Sequence, residues 1–336
     1  MTLEKITNSK IVTTINQALT PLFLIGNLAS ISYLSYRLFN FTIGYNLCLL
    51  IITHLPLIVA SILTYFFTHK IIYSLFSVFI LLIAKQDNYL IAYLLPISLF
   101  YLDIYFQKYL VNYHFISDLP KFVEDSLKNI LLVIMIILLT LICSYLHFNL
   151  SCLSIFDSFF TCIIVVFLFC FLFYRGYHPA ILLSVLGPVQ LLFLNENIQA
   201  ALLNLPLEHI FTHGSMSAFA NLSGTGVTIG IAFLSRKKFS GGLKAAWFGV
   251  NENIIFGLPI TNNKKAFVPY VIGGTILGSF PFILMALGYL NKPLFDAPYL
   301  GFFIESYLVN FDFRSILVNL IQIIGSLLIW KSCFKN

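Results

Sequence analysis

Charge is what this sequence has least of. Only 10 % of its 336 residues are Asp, Glu, Lys or Arg, while 59 % are apolar; soluble domains carry about 25 % charged residues. With a mean hydropathy of +0.93, the chain has no aqueous surface to offer, and the bilayer must be its solvent. Paired cysteines are missing too. Cys48, Cys143, Cys152, Cys162, Cys170 and Cys333 lie in or beside apolar runs, none forms a CxxC pair, and no histidine cluster accompanies them. That argues against a disulfide framework or a zinc site and leaves packing as the role of the thiols. No cofactor is expected. A basic leader followed by an apolar stretch is also lacking. "MTLEKITNSKIVTTINQ" is polar and reads as a helix lying on the membrane, with Ile6, Ile11 and Ile15 on its apolar side, rather than as a cleavable signal. The net charge of +6 sits mostly in short loops, so membrane topology accounts for it and nucleic acid does not.

What the chain does have is aromatic and apolar length. Phe occurs 35 times and Tyr 18 times, which suits helix packing, interfacial belts or a ring-stacking site. Apolar segments recur near 17–36, 42–67, 71–84, 88–110, 126–147, 154–174, 180–194, 215–234, 266–290 and 315–330. A spanning helix needs about 20 residues, so the expectation is an all-α integral membrane protein, a polytopic bundle of roughly 8–10 spans. "HFISDLPKFVEDSLKN" interleaves charges with Phe122, Val123 and Leu127 after Pro120, a pattern for an amphipathic interfacial helix. It divides the chain into a scaffold and dimerisation half, 1–115, a linker, 116–129, and a substrate-binding half, 130–336.

The second half is punctuated. Gly176, Pro179, Gly187 and Pro188 interrupt one apolar run, and hydroxyls and glycines crowd another, "THGSMSAFANLSGTGVTIG". Irregular backbone at membrane depth is tolerated only where protein or a water-filled cavity satisfies it. In "KAAWFGVNENIIFGLPITNNKK" a carboxylate, Glu252, stands between Asn251 and Asn253. A helix from Ala245 to the Gly257 break would reach only about 18 Å. The basic flanks, Arg236–Lys244 and Lys264/Lys265, both prefer the cytoplasmic side. A re-entrant hairpin over 245–263 satisfies both constraints, and a second re-entrant segment is expected near 195–214. A carboxylate at that depth suggests a substrate or ion site. Carboxylates and amides meet hydroxyls that both donate and accept, so the ligand expected is a polyol; a proton-coupling acid is the rival reading. His209 and His213 stand at i, i+4, but no third metal ligand is evident, no metal is expected, and they read as loop histidines at the interface. The remaining histidines, His54, His69, His114 and His147, fall at span ends.

Several motifs then line up. "SDLPKFVEDSLKNI", "RGYHPAILLSVLGPVQLLFLNENIQAA" (175–201), "GTGVTIG" (224–230) and "VNENIIFGLPITNN" (250–263) follow one another along the chain. Together with its two ends, the sequence resembles the IIC membrane component of the bacterial sugar phosphotransferase system, in the lactose, cellobiose and N,N′-diacetylchitobiose family. The family's elements read roughly N-E-P-I-I-F-G-L-P-I, G-I-H-G, L-G-P-V and G-S-G-A-T-L-G. The resemblance implies a multi-pass protein of the bacterial inner membrane with cytoplasmic termini and a homodimer formed through the first half. It implies a sugar cargo, usually a β-linked disaccharide, phosphorylated at its 6-hydroxyl as it crosses. The phosphodonor would be a cysteine on a separate IIB partner, so the chain is a sugar phosphotransferase only together with IIB. Glu252 and His178 take the positions that meet the 6-hydroxyl. Asn251, Asn253, Gly224, Thr225, Gly226, Thr228 and Glu196 fall at substrate-binding positions. Beside these stand plainer roles: a helix cap for Asn251, close helix packing for the glycines, and a helix-end acid for Glu196.

The departures matter as well. The chain is shorter than most members. NEP has become NEN, IHG has become YHP, and Leu222–Ser223 precede Gly224 where the family has a further glycine. Two alternatives therefore stand beside the leading one: a secondary sugar permease with Glu252 as proton-coupling acid, and a membrane sugar sensor that binds without transferring.

Overall fold

Backbone amides in lipid must be satisfied within the chain, and helices are the regular structure by which this chain does so among its described residues. The computed structural model describes residues 9–85, 88–111, 121–146, 150–237, 240–296 and 299–333, and among these there is no strand. Among the described residues six helices are long and apolar enough to cross a membrane: Lys10–Phe39, Tyr89–Tyr109, Ser126–Tyr145, Ile181–Leu202, Lys264–Ala286 and Arg314–Cys333. The pair Thr42–Thr53 and Leu55–Thr68 makes a seventh if it forms one span, and Ile71–Ile83 and Phe159–Tyr174 are shorter apolar helices. The multi-pass helical architecture read from the sequence is thus the one observed.

The chain packs as two compact units. One is built on Lys10–Leu22 and Thr53–Leu150, the other on Phe23–Ile52 and Ser151–Asn336. The division does not fall at the 116–129 linker, because residues 23–52, assigned by sequence to the first half, pack with the second. Asn27 Oδ1 accepts the Asp296 backbone N–H at 3.1 Å, and Phe23 stacks on His213. Residues 116–120 of the linker lie outside the described residues. From Lys121 the same stretch opens one continuous helix, Lys121–Tyr145, rather than a separate interfacial element.

In the first of these units, Ala60, Ile80, Leu81, Ile91, Leu95, Leu99 and Cys143 form a buried core. Lys70 Nζ meets both Asp103 carboxylate oxygens at 2.6 and 2.9 Å, pairing a charge that would otherwise be costly in an apolar surround. In the second unit, the last helix supplies polar groups to irregular backbone. Gln322 Nε2 donates to Phe219 O at 2.9 Å and to Leu277 O at 2.8 Å. Asn319 Nδ2 donates to Phe302 O at 2.8 Å, and Ser326 Oγ accepts from Gly230 N at 3.0 Å. Spaced at i, i+3 and i+7, the three side chains share a helix face. They let the non-helical and π-helical turns around 216–228 exist inside an apolar bundle.

Candidate functional site

Two breaks in the helices create the site. Phe159–Tyr174 ends at a turn through Gly176, and helix Ala180–Leu202 starts after Pro179. The residue before a proline is pushed out of helical geometry, which leaves His178 on non-helical backbone between the two helices. The second break lies in 245–263. Ser240–Trp247 is helical, residues 248–251 are not, Glu252–Gly257 forms a short helix, and 258–263 turns back toward Lys264. The breaks adjoin: Asn262 N–H donates to Tyr174 O at 2.9 Å, and Tyr174 packs edge-on against Phe267. The other expected re-entrant stretch, 195–214, consists of the end of helix Ala180–Leu202 followed by non-helical chain over 203–212.

A cavity of about 170 Å³ opens at this junction. Of the residues singled out in the sequence, His178, Glu252, Asn251, Gly224 and Thr225 line it. Glu252 Oε2 is buried and accepts no hydrogen bond from the protein, although an unmet carboxylate oxygen carries a desolvation cost of several kcal/mol, about what burying a polar group without a partner costs. Phe169 and Phe173 form an aromatic wall, and the Phe173 ring meets His178 edge-on at 5.2 Å.

Asn251 has a positioning role. It precedes the helix Glu252–Gly257 but makes no side-chain cap bond. Its Nδ2 instead donates to Thr225 O at 2.7 Å and to Thr228 Oγ1 at 2.9 Å. The amide thereby ties the Glu252 segment to the 221–228 turn. Gly224 makes this approach possible, because its φ is +90° and a Cβ there would lie 2.3 Å from Asn251 Cγ.

Four expected residues lie elsewhere. Asn253 is exposed and is not among the residues that line the cavity. Thr228 is fully buried and serves Asn251. Gly226 packs against the Tyr270 ring. Glu196 Oε2 meets His209 Nε2 at 2.7 Å, while His209 Nδ1 meets Asp157 Oδ2 at 3.1 Å. Burial pushes the His209 imidazole down, but its bonds to Asp157 and Glu196 outweigh this and hold it at about 9. Asp157 Oδ1 also accepts from Ile210 N and Phe211 N, so this cluster fastens the 203–212 stretch.

Several lining residues had no signal of their own in the sequence: Gln190, Ser217, Asn221 and Tyr299, and the histidine His213, which reads there only as an interface residue. Met216–Ala220 is a π-helical turn, a feature frequent at functional sites, and it brings Ser217 to the cavity. His209 and His213 do not act as a pair; His213 Nδ1 lies 3.0 Å from both Asp296 carboxylate oxygens. Among the described residues no group of three or more His, Cys, Asp or Glu could hold a metal ion.

Fold and cavity together define a class: a multi-pass helical membrane protein with a polar-lined cavity at breaks in its helices, an arrangement also found in membrane transporters. Its particular relatives are EIIC components of sugar-specific PTS systems. The chain is 31 % identical over 142 residues to the oligo-beta-mannoside-specific EIIC component of Bacillus subtilis, a match covering 39 % of this chain and 32 % of that protein. It is 31 % identical over 137 residues to the cellobiose-specific EIIC component of Lactococcus lactis, covering 36 % and 27 %. It is 27 % identical over 133 residues to the lactose-specific EIICB component of Lacticaseibacillus casei, covering 36 % and 22 %. The matched stretch thus spans about a third or less of these relatives' length. No family model matches. The whole fold is that of the transporter ChbC, the IIC component from the N,N′-diacetylchitobiose-specific phosphotransferase system. That likeness has a TM-score of 0.82 and 17 % identity, and covers 99 % of this chain and 94 % of that one. The chain is a relative of the IIC membrane components of sugar phosphotransferase systems and shares their fold.

Proposed function

We propose that the chain carries a sugar across the bacterial inner membrane and presents its 6-hydroxyl to a phosphorylated IIB partner. The single observation that carries this reading is Glu252: a carboxylate with a buried, unpartnered oxygen, set at a helix break on the same cavity as His178. The names of the relatives point to β-linked oligosaccharides and lactose as the cargo class, and Phe169 and Phe173 suit the apolar faces of sugar rings. In the transfer, the hydroxyl oxygen forms a bond to phosphorus as the phosphorus–sulfur bond of the partner's cysteinyl phosphate breaks. The hydroxyl proton passes to Glu252 or His178 as general base, and the rest is positioning and charge stabilisation. Arg236, Lys237 and Lys244 are exposed before the Glu252 segment, and Lys264 and Lys265 after it; these cations suit docking of a phosphorylated protein on the cytoplasmic side.

Uptake into membrane vesicles tests the proposal. Cellobiose, lactose and β-mannobiose are offered with and without phosphorylated IIB from a relative's system. Sugar 6-phosphate inside the vesicles is expected only with IIB. Free sugar accumulating without IIB would refute phosphoryl transfer. A dependence of that accumulation on a pH gradient would favour proton-coupled uptake, a reading supported by the second carboxylate near the cavity, Glu305. Glu305 lies on the nine-residue helix Phe302–Asn310, where burial pushes it up to about 7 against the lowering effect of the Ser217 hydroxyl.

A further inference from the structure

The cavity carries a second histidine, with a different kind of support from His178. His213 opens the short helix His213–Ser215, whose preceding Thr212 side chain accepts from Ser215 N. Its Nδ1 faces both oxygens of Asp296 at 3.0 Å, and Asp296 is fully buried. A carboxylate receiving the Nδ1 proton fixes the orientation of the imidazole ring and leaves Nε2 to meet a ligand. Three further contacts hold this pair in place. Phe23 stacks on the ring at 4.0 Å with an interplanar angle of 22°. The Asp296 backbone N–H donates to Asn27 Oδ1. Gly214 brings the two segments together, since a Cβ there would lie 2.3 Å from Phe295 O.

A buried histidine–carboxylate pair is a weak source of stability, because desolvation offsets much of its attraction, so a pair this firmly held at a cavity wall calls for a ligand. A second orphan points the same way. Gln190, 2 % exposed, lines the same cavity with its Oε1 buried and unpartnered.

We infer that His213 is a specificity-determining sugar contact whose Nε2 hydrogen-bonds a hydroxyl other than the one served by Glu252 and His178, with Asp296 as its positioning residue. The inference rests on the sugar-permease reading and deepens it. The separation of roles follows from valence. A hydroxyl has one proton and two lone pairs. In the proposed transfer Glu252 and His178 occupy the proton and one lone pair, and phosphorus takes the other, so a third protein contact must go to another hydroxyl.

Calorimetry on the purified full chain tests it, with cellobiose and a series of monodeoxy cellobioses as probes. The variants are His213→Ala, His213→Gln and Asp296→Asn, with thermal unfolding run alongside to establish folding. Wild type should bind one analogue other than the 6-deoxy sugar about 10–100-fold more weakly than cellobiose, the usual effect of losing one buried hydrogen bond to a polar or charged partner. His213→Ala should bind cellobiose and that analogue equally, which a merely structural role would not produce. His213→Gln, the milder change, carries the same comparison should the alanine variant fail to fold. Asp296→Asn should weaken cellobiose binding and reduce the discrimination. Unchanged discrimination in the folded His213 variants overturns the inference while leaving the permease reading intact. Wild type that binds none of cellobiose, lactose, β-mannobiose and diacetylchitobiose overturns both.

Discussion

Glu252 is the residue on which the chemistry turns. Glu252→Gln keeps the shape and a hydrogen-bonding oxygen but removes the base. The expected result is sugar binding close to wild type, with phosphoryl transfer lowered by about 10²–10⁴-fold, the usual range for losing a positioned general base. His178→Ala should harm both. Calorimetry beside a sugar-phosphate assay separates the two effects, and wild-type transfer by Glu252→Gln would remove Glu252 from the role of base. Gly224 offers a purely geometric prediction. A methyl group there meets Asn251 Cγ at 2.3 Å on backbone with φ +90°, so Gly224→Ala should cost about 1–3 kcal/mol and displace Asn251 from Thr225 and Thr228. A thermal unfolding midpoint and sugar affinity equal to wild type would show that the turn does not depend on this glycine. Glu252 was legible in the sequence because a carboxylate between amides in an oily run has few bland explanations. His213 was not, because its meaning depends on Asp296, 83 residues away, and its neighbour His209 suggested a common purpose that the fold does not give them.

At the level of elements, the sequence showed where helices break but not what satisfies the broken backbone. Pro179 and Gly257 mark the breaks in plain view. The groups that answer them, Asn319, Gln322 and Ser326, sit inside an apolar helix whose sequence gives no sign of that role. The hairpin reading of 245–263 makes a topological prediction: cysteines placed at Lys237 and Lys264 should both react with a membrane-impermeant thiol reagent from the cytoplasmic side. Opposite-side reactivity would show that the segment crosses. The His209 cluster joins Asp157, two residues before helix Phe159–Tyr174, the helix Ala180–Leu202 and the stretch 203–212, and it makes stability depend on pH. The native imidazole sits at about 9, above its ordinary value of about 6.5. Its contribution is therefore complete below about pH 6.5 and lost as pH rises through about 9. The unfolding midpoint in detergent should fall between pH 7 and 10 in wild type and fall less in His209→Gln. Equal slopes for the two would assign the pH dependence elsewhere.

Over the whole molecule, the open matter is what surrounds helix Lys121–Tyr145. One side of it is internal: Leu132, Ile136, Leu139 and Cys143 pack against the core of their unit. The other side, Ile130, Ile134, Ile137 and Leu141, is equally apolar and about half exposed. Spaced every three or four residues, these side chains form a continuous stripe. Lipid tails solvate such a stripe as well as a protein would, so hydrophobicity alone does not choose between them; helix association in a bilayer depends on packing and shape. We propose that a second copy covers this stripe, in line with the dimerisation role expected of the first half from its sequence. The expectation is a dimer in nanodiscs by native mass measurement, with this stripe at or beside the contact. Single cysteines at Ile134 and Ile137 should then cross-link between copies on mild oxidation, whereas a cysteine at Ile164, exposed on the other unit, should not. A monomeric mass, with no cross-link from any of the three positions, would mean that the stripe faces lipid and that the chain works without a second copy.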